Sequence, residues 1–224
     1  MSLRIRAIIT GATGMVGEGV LHECLNSPHV EAVLIINRKP SGYVHPKLKE
    51  LIHADFFNVS PIADQLGGYN ACYFCLGVSS VGMKEEEYFN KTYTLTLHFA
   101  KTLVTVNPNM VFCYVSGSGT DSTEKGRTMW ARIKGKTEND LMKLPFANVY
   151  AFRPGYMHPT KGLKNTLAAV KYISWAYPVL KLLFPNFVTT LADLGQAMIG
   201  VTRHTPAKAV VEVRDILAQA KTAQ

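Results

Sequence analysis

Residues 10–17 decide the fold of this chain, and they read Thr-Gly-Ala-Thr-Gly-Met-Val-Gly. The stretch follows a short apolar run and precedes a segment in which apolar residues recur with helical period, beginning at about Val16. Glycines spaced three residues apart at such a junction are typical of the tight turn between a buried strand and the next helix. The stretch therefore predicts the first β–α unit of a parallel sheet.

Each glycine of this turn has a predicted role. Gly11 permits the tight turn, Gly14 lets backbone N–H groups approach a ligand, and Gly17 allows the helix to pack closely on the strand. Such junctions also need glycine for structural reasons alone, but a helix N-terminus carries partial positive charge that favours phosphate. The turn therefore predicts a dinucleotide pyrophosphate site, with contacts from Gly11, Thr13, Gly14, Met15, Val16 and Gly17.

Farther along, short apolar runs alternate with longer helical patterns. The runs predict strands over residues 6–10, 33–37, 51–54, 71–76, 110–115 and 149–152. Between them, a short helix is predicted from Ser60-Pro61 to Gly67, and a long one over residues 85–104. This alternation predicts an α/β protein of the Rossmann type, with a doubly wound parallel sheet and helices on both faces.

The length of 224 residues fits a single domain, which we expect to span residues 1–224 with a small substrate-side insert at about 156–190. The most apolar segment, residues 167–190, is interrupted by Lys and Pro and is too short to cross a bilayer, so no transmembrane segment is expected. It predicts one or two short helices with an apolar face. Three uses of that face stay open: a cover for the ligand cleft, which is favoured, a membrane contact, or a homodimer interface.

The net charge of +8 comes from 24 Lys and Arg residues against 16 Asp and Glu residues. These basic residues are scattered and form no dense run with interleaved aromatic residues, so no nucleic-acid partner is expected. The four cysteines lie in apolar stretches and no signal peptide precedes the first strand, which predicts a cytoplasmic protein with reduced thiols. Cys72 and Cys75 have the spacing of a metal-ligand pair, but no second pair completes a site, and no metal is expected.

Asn37, Arg38 and Lys39 lie about twenty residues past the glycine turn, where an NAD-specific fold carries an acidic residue for the ribose hydroxyls. Arg38 can form a forked pair with a 2′-phosphate, and Lys39 adds a point charge. The segment therefore favours NADP(H) as the cofactor, with NAD(H) as the alternative. A solvated basic pair with no ligand is the plainer interpretation.

Three further motifs follow the third, fourth and sixth predicted strands. They are His-Ala-Asp-Phe at residues 53–56, Cys-Leu-Gly at 75–77 and Arg-Pro-Gly at 153–155. With the glycine turn, they resemble the short-chain dehydrogenase/reductase superfamily. Residues 75–80, 115–121, 133–138 and 152–155 (CLGVSS, VSGSGTD, IKGKTE and FRPG) are similar to its atypical branch, which contains Tat-interacting-protein-like oxidoreductases and bacterial nucleoside-diphosphate-sugar epimerase-like proteins. The resemblance covers residues from about 5 to about 215.

The resemblance implies cofactor contacts outside the glycine turn. Adenine would contact Asp55 and Phe56, the ribose Leu76 and Gly77, and the nicotinamide Pro154 and Gly155. Asn90 matches an asparagine that this superfamily often carries in its fourth helix. Plainer roles stay open for three of these positions: Asp55 as a loop cap, Asn90 as a polar helix residue, and the Pro-Gly pair as a turn.

The superfamily also implies a catalytic Tyr-x-x-x-Lys pair, but here the matching residues are Trp130 and Lys134. Lys134 keeps the expected role of holding the cofactor ribose. An indole N–H can donate a hydrogen bond but cannot exchange a proton near neutral pH, and general acid–base catalysis is worth roughly 10² to 10⁴ in rate. Trp130 is either a stacking platform in the cleft or part of the core.

Four residues are candidate substitutes for the missing tyrosine: Tyr114, Ser116, Ser118 and Thr128. In the family's double-serine pattern Ser116 matches the first serine, whereas a glycine falls on the second and Ser118 lies one residue beyond. The catalytic set is therefore Lys134, Ser116, Ser118 and Trp130.

Two functions are consistent with this pattern. The first is an NADP(H)-binding oxidoreductase or epimerase-like enzyme that acts on an unknown small carbonyl, alcohol or sugar nucleotide. The second is a cofactor-binding regulatory or interaction protein with weak or no catalysis. The sequence does not name the substrate, since specificity would come from the region around residues 156–186.

Overall fold

The computed structural model describes residues 4–166, 175 and 177–223. Nine strands lie in this part of the chain. They are β1 (Ile5–Thr10), β2 (Val30–Asn37), β3 (Leu48–Ile52), β4 (Ala71–Phe74), β5 (Val111–Val115), β6 (Asn148–Arg153), β7 (Tyr156–His158), β8 (Val188–Thr190) and β9 (Val210–Glu212). Seven of them form one parallel sheet in the order β3-β2-β1-β4-β5-β6-β9, and β7 and β8 form a second, two-stranded parallel sheet.

Helices cover both faces of the large sheet. The α-helices of the described part of the chain are α1 (Met15–Asn26), α2 (Glu85–Phe89), α3 (Leu95–Val106), α4 (Met129–Leu141), α5 (Tyr177–Leu183), α6 (Leu191–His204) and α7 (Val213–Thr222). A 3₁₀ helix spans Ser60–Leu66, and a π-helical turn, Asn90–Thr94, joins α2 to α3. The predicted long helix is therefore present, with one wide turn in its middle.

Alternation along the strands produces two apolar cores, one on each face of the sheet. On β1, Ile5, Ala7 and Ile9 belong to the core beneath α1 and α6, whereas Ile8 faces the core beneath α3. Because both faces are covered, the central strands are apolar along nearly their whole length. The predicted single-domain Rossmann-type α/β fold is confirmed.

The predictions differ from the structure mainly at the sheet edges. β3 begins at Leu48, three residues before the predicted start, because this edge strand is partly exposed and its Lys and Glu residues interrupt the apolar pattern. β7, β8 and β9 are each only three residues long, and none of the three was predicted. A strand this short carries too little period-two pattern to be separated from a loop.

The predicted insert at residues 156–190 contains β7, α5 and β8, but residues 167–174 and 176 lie outside the described part. Of the predicted one or two short helices over 167–190, the described residues contain α5. Among the helices that the structure describes, none combines the length and apolar character needed to span a membrane.

Candidate cofactor site

The glycine turn lies at the carboxyl edge of the sheet, between β1 and α1. Gly11 has a φ of +71°, in the left-handed region that favours glycine. A Cβ atom at this position would lie 2.8 Å from the Cys75 carbonyl oxygen and 2.9 Å from the Leu76 nitrogen. The end of β4 therefore leaves room for glycine alone.

Gly14 and Gly17 differ sharply in the space around them. Gly14 is the N-cap of α1 in an extended conformation, with a φ of −100°, and a Cβ atom there would meet nothing closer than the Gly11 carbonyl oxygen at 3.4 Å. At Gly17 the same oxygen would lie only 2.2 Å away. Gly17 therefore lets α1 pack closely on the glycine turn itself. The sequence had predicted close packing of the helix on the strand.

No side chain caps the N-terminus of α1. The first-turn residues Met15 and Val16 are half-buried, and the Val16 side chain packs on the apolar core. Any contact from Val16 to a ligand would therefore come from its backbone. Uncapped N–H groups at a helix N-terminus are suited to an anion.

Arg38 lies between two cavities. The first, of about 430 Å³, is lined by Thr13, Arg38, Lys39 and Pro40. The second, of about 230 Å³, is lined by Arg38 together with Asp55, Phe56, Leu76, Gly77 and their neighbours. The structure thus places Thr13, Arg38 and Lys39, predicted to contact phosphates, at one cavity, and the predicted adenine and ribose contacts at the next.

Asp55 and Phe56 also have structural roles. The Asp55 carboxylate accepts a hydrogen bond from the Phe57 N–H at 2.9 Å, which is the loop cap considered as its plainer role. Phe56 is buried and stacks on Phe99, with ring centroids 6.3 Å apart. Both residues therefore stabilise the loop after β3 as well as lining the second cavity.

Glu50 organises the loop that carries Arg38, a role the sequence did not indicate. Its Oε1 accepts hydrogen bonds from the buried Asn37 side chain and from the Ser41 N–H, both at 2.8 Å. Partial burial of Glu50 opposes the charged form, but these hydrogen bonds outweigh burial and lower its pKa. Glu50 is an acidic residue of β3, so a search for carboxylates directly after β2 overlooks it.

Trp130 and Lys134 both reach the loop that follows β5. The Lys134 ammonium donates a hydrogen bond to the Ser116 carbonyl oxygen, and burial lowers its pKa from 10.5 to about 8, although the charge of Glu138 opposes this. Trp130 is half-buried, and a Cβ atom at Gly119 would lie 3.6 Å from its ring. The two side chains one helical turn apart thus meet the same loop, as Tyr-x-x-x-Lys spacing predicts.

The four candidate substitutes for the missing tyrosine differ in accessibility. Tyr114 is buried in the core, and burial raises the pKa of its hydroxyl far above the ordinary value. The Ser116 hydroxyl donates to the Phe152 carbonyl oxygen at 3.0 Å. Ser118 is half-buried, with its backbone N–H donating to the Pro154 carbonyl oxygen at 2.8 Å, and Thr128 is exposed at the start of α4. Tyr114 is therefore too deeply buried to reach a substrate in the cleft. Ser118 lies on the partly exposed loop after β5 and remains a candidate.

A buried ion pair joins the IKGKTE and FRPG motifs. Arg153 donates through Nε to Glu138 Oε1 at 3.0 Å and through Nη1 to Glu212 Oε1 at 3.2 Å, and its Nη2 also contacts Glu138. Glu138 is almost fully buried. The pair fixes α4, which carries Lys134, against the ends of β6 and β9. Sequence reasoning missed this link, although both residues stand inside motifs that it singled out.

The chain after Arg153 forms the second sheet beside this edge. A Cβ atom at Gly155 would lie 2.2 Å from the Phe187 carbonyl oxygen, so Gly155 permits close contact with the chain entering β8. Within the described residues, three buried polar atoms of β7 and β8 lack a hydrogen-bond partner: Tyr156 Oη, His158 Nδ1 and Thr189 Oγ1. Buried polar atoms are usually paired, so this sheet is atypical.

Two other predicted or missed residues have clear positions. Asn90 begins the π-helical turn, and its side-chain oxygen accepts a hydrogen bond from Thr94 at 3.3 Å, as expected for a polar helix residue.

Glu18 of α1 is buried and accepts hydrogen bonds from the Lys164 and Asn165 N–H groups, both at 2.7 Å. Glu18 therefore ties the segment after β7 to the helix of the glycine turn.

The parallel sheet and its glycine turn define a protein of the Rossmann type. A family model described as "NAD dependent epimerase/dehydratase family" matches residues 7–129, more than half of the chain. The chain belongs to that family. The resemblance to short-chain dehydrogenase/reductase proteins is thereby confirmed.

Solved structures share the fold at low sequence identity. The Bordetella bronchiseptica enzyme WbmG, in complex with NAD, matches with a TM-score of 0.67 and 12% identity, covering 96% of this chain and 76% of that one. Helicobacter pylori ADP-L-glycero-D-manno-heptose-6-epimerase matches with a TM-score of 0.65 and 15% identity, covering 98% and 82%. These similarities establish the fold and carry no functional detail.

Curated relatives come from fungi. Protein FMP52, mitochondrial, from Candida albicans is 26% identical over 168 residues, covering 71% of this chain and 72% of the relative. Leucinostatins biosynthesis cluster protein T from Purpureocillium lilacinum is 28% identical over 141 residues, covering 61% and 51%. The FMP52 proteins of two further yeasts are also named mitochondrial. These relatives are named as mitochondrial proteins, which contradicts the cytoplasmic location that the sequence predicted.

Proposed function

We propose that this protein binds NADP(H) on its glycine turn and acts as an oxidoreductase on a small carbonyl, alcohol or sugar nucleotide. The observation that carries the proposal is the position of Arg38, which lines both cavities beside the turn. A dinucleotide with its 2′-phosphate at Arg38 would place adenine in the second cavity and pyrophosphate at α1.

The residues present fit such a cofactor. Gly14 leaves open space at an uncapped helix N-terminus, which suits a pyrophosphate. Among the described residues, the first cavity is lined by two cations and no acid, which suits a 2′-phosphate better than ribose hydroxyls. The nearby Glu50 carboxylate is already engaged by Asn37 and Ser41. The preference for NADP(H) over NAD(H) rests on these charges.

When bound, the nicotinamide of such a cofactor supplies or accepts a hydride. We assign Lys134 to the cofactor ribose, because its buried ammonium lies at the loop after β5. Ser118, on that loop, is the candidate for proton exchange with the substrate oxygen. The substrate is assigned to the side of β7 and β8, where hydrogen bonds to a polar group would offset the cost of three unpaired buried atoms.

A second function is a cofactor-binding protein without catalysis. Two observations favour it. Trp130 has no proton that it can exchange near neutral pH, and Tyr114 is buried away from the cleft. An intact nucleotide site is sufficient for this role. Turnover measurements with bound cofactor separate the two functions.

Calorimetry with NADPH and NADH tests the cofactor assignment. Charge-assisted hydrogen bonds contribute roughly 1.5–3 kcal/mol, so NADPH should bind at least about tenfold more tightly than NADH. The Arg38→Asp variant should reverse this preference. Lys49→Asp is the matched control, because Lys49 is exposed on β3 and lines neither cavity. Equal affinities for both nucleotides would overturn the NADP(H) preference, and absence of binding would overturn the cofactor site.

A further inference from the structure

Helix α5 and the residues beside it form an unusual surface. Six large apolar residues between positions 175 and 187 are 51% to 83% exposed: Trp175, Val179, Leu182, Leu183, Phe184 and Phe187. We call these six residues the apolar patch. The other exposed large apolar residues in the described part of the chain are scattered over positions 44–81. A concentration of this kind indicates a contact surface.

Packing among the described residues does not account for α5. Six of its seven residues are apolar, yet none of the seven is buried. A helix this short is marginal in water by itself and normally depends on burial of one face for stability. The apolar face of α5 therefore lacks the cover that its composition requires from the described residues.

Charge decides what kind of surface would cover it. Between Asp140 and Asp193 the sequence contains no acidic residue, whereas the stretch that leads into the patch and through it contains Lys161, Lys164, Lys171 and Lys181. Lys181 is exposed within α5, and Lys161 is exposed after β7. From α7, Arg214 donates a hydrogen bond to the Asn186 side chain at 2.6 Å, beside Phe187. The apolar patch is thus flanked by positive charge alone on its own segment.

A second copy of the chain fits this surface poorly. A two-fold interface brings the same patch of both copies together, so Lys181 would approach its own counterpart. The segment supplies no carboxylate to pair with either lysine. An anionic lipid surface instead accepts apolar side chains between its headgroups and attracts each nearby lysine or arginine by about 1 kcal/mol.

We propose that the apolar patch docks this protein peripherally on an anionic lipid membrane, with α5 lying in the headgroup region. The His158 ring of β7 stacks on Tyr177 of α5, with ring centroids 4.0 Å apart. The docked face is therefore next to the strands that carry the unpaired polar atoms. A membrane bound there would lie beside the substrate-side sheet.

Vesicle co-sedimentation tests the proposal. Phosphatidylcholine vesicles containing about 30% phosphatidylglycerol should bind the wild-type protein at least tenfold more tightly than pure phosphatidylcholine vesicles, and added salt should weaken that binding. Leu182→Glu should reduce binding to anionic vesicles at least tenfold, because it places a negative charge in the patch. Val44→Glu is the matched control, since Val44 is 98% exposed outside the patch, and it should bind like wild type.

Light scattering and circular dichroism complete the experiment. Leu182→Glu should keep the wild-type spectrum, because residue 182 makes no buried contact to lose. Equal binding to both vesicle types, or binding to neither, overturns the proposal. So does a wild-type dimer in solution that Leu182→Glu converts to a monomer, since the patch would then join two copies.

Discussion

The buried ammonium of Lys134 should lower the free energy of unfolding of this protein. Burial lowers its pKa from 10.5 to about 8, so the folded protein holds this ammonium at neutral pH against an unfavourable environment. At about 1.4 kcal/mol for each tenfold change in ionisation, the cost is roughly 3 kcal/mol. Lys134→Met would also lose the charge-assisted hydrogen bond to Ser116, worth roughly 1.5–3 kcal/mol. We therefore expect Lys134→Met to be more stable than wild type by about 1 kcal/mol at pH 7.

The stability difference between Lys134→Met and wild type should depend on pH. Between pH 8 and 10.5 the unfolded chain binds a proton at Lys134 that the folded chain has released, so the stability of the wild type rises with pH in that window. Methionine has no such ionisation. The advantage of Lys134→Met should therefore be full below about pH 8 and should shrink by about 3 kcal/mol by pH 10.5.

Urea unfolding at pH 7 and near pH 10 measures the effect. Lys136→Met is the matched control on the same helix, because Lys136 is partly exposed and pairs with Asp140 at 3.1 Å. That substitution should cost no more than about 1 kcal/mol. A Lys134→Met variant less stable than wild type at pH 7, or a difference that does not change with pH, would refute the reasoning. The same variant should bind NADPH more weakly if Lys134 holds the ribose.

Two further predictions concern the turn and the helix of the candidate cofactor site. Gly14→Leu should abolish NADPH binding measured by calorimetry while the circular dichroism spectrum stays unchanged. The fold has room for a Cβ atom at this position, but a leucine side chain would block the pyrophosphate from the backbone N–H groups. Gly17→Leu should unfold the protein, because its Cβ would lie 2.2 Å from the Gly11 oxygen; equal effects of the two variants would contradict this pairing. Trp130→Tyr should raise NADPH-dependent reduction across a panel of aldehydes, ketones and sugar nucleotides by about a hundredfold, since it restores an exchangeable proton beside Lys134. A slower variant would instead identify the indole as a substrate platform.

The candidate site was predictable where its residues follow strands in sequence. Arg38, Asp55 and Gly77 each come shortly after a predicted strand, and the carboxyl ends of parallel strands meet at one edge of the sheet. The two cavities that Arg38 shares lie at that edge. These three positions could therefore be predicted from the order of the strands alone, without knowledge of any long-range contact.

Other parts of the site depend on contacts that no local pattern encodes. Arg153 meets Glu212 across 59 positions, and Asn37 meets Glu50 across 13. A charged residue in a motif gives no indication of its partner until the strands are adjacent. The candidacy of Tyr114 failed for a related reason: a residue near the end of a strand faces either the cleft or the core, and strand register decides which.

The sequence by itself determined the β–α alternation and the glycine turn, because both arise from interactions within a few residues: apolar period, backbone conformation and a helix N-terminus. Only the tertiary structure decided that Gly17 packs on the turn, that Lys134 is buried at Ser116, and that α5 remains uncovered. Steric contact, desolvation and exposure are properties of surfaces brought together by the whole chain. They come into existence only when segments distant in sequence occupy the same space.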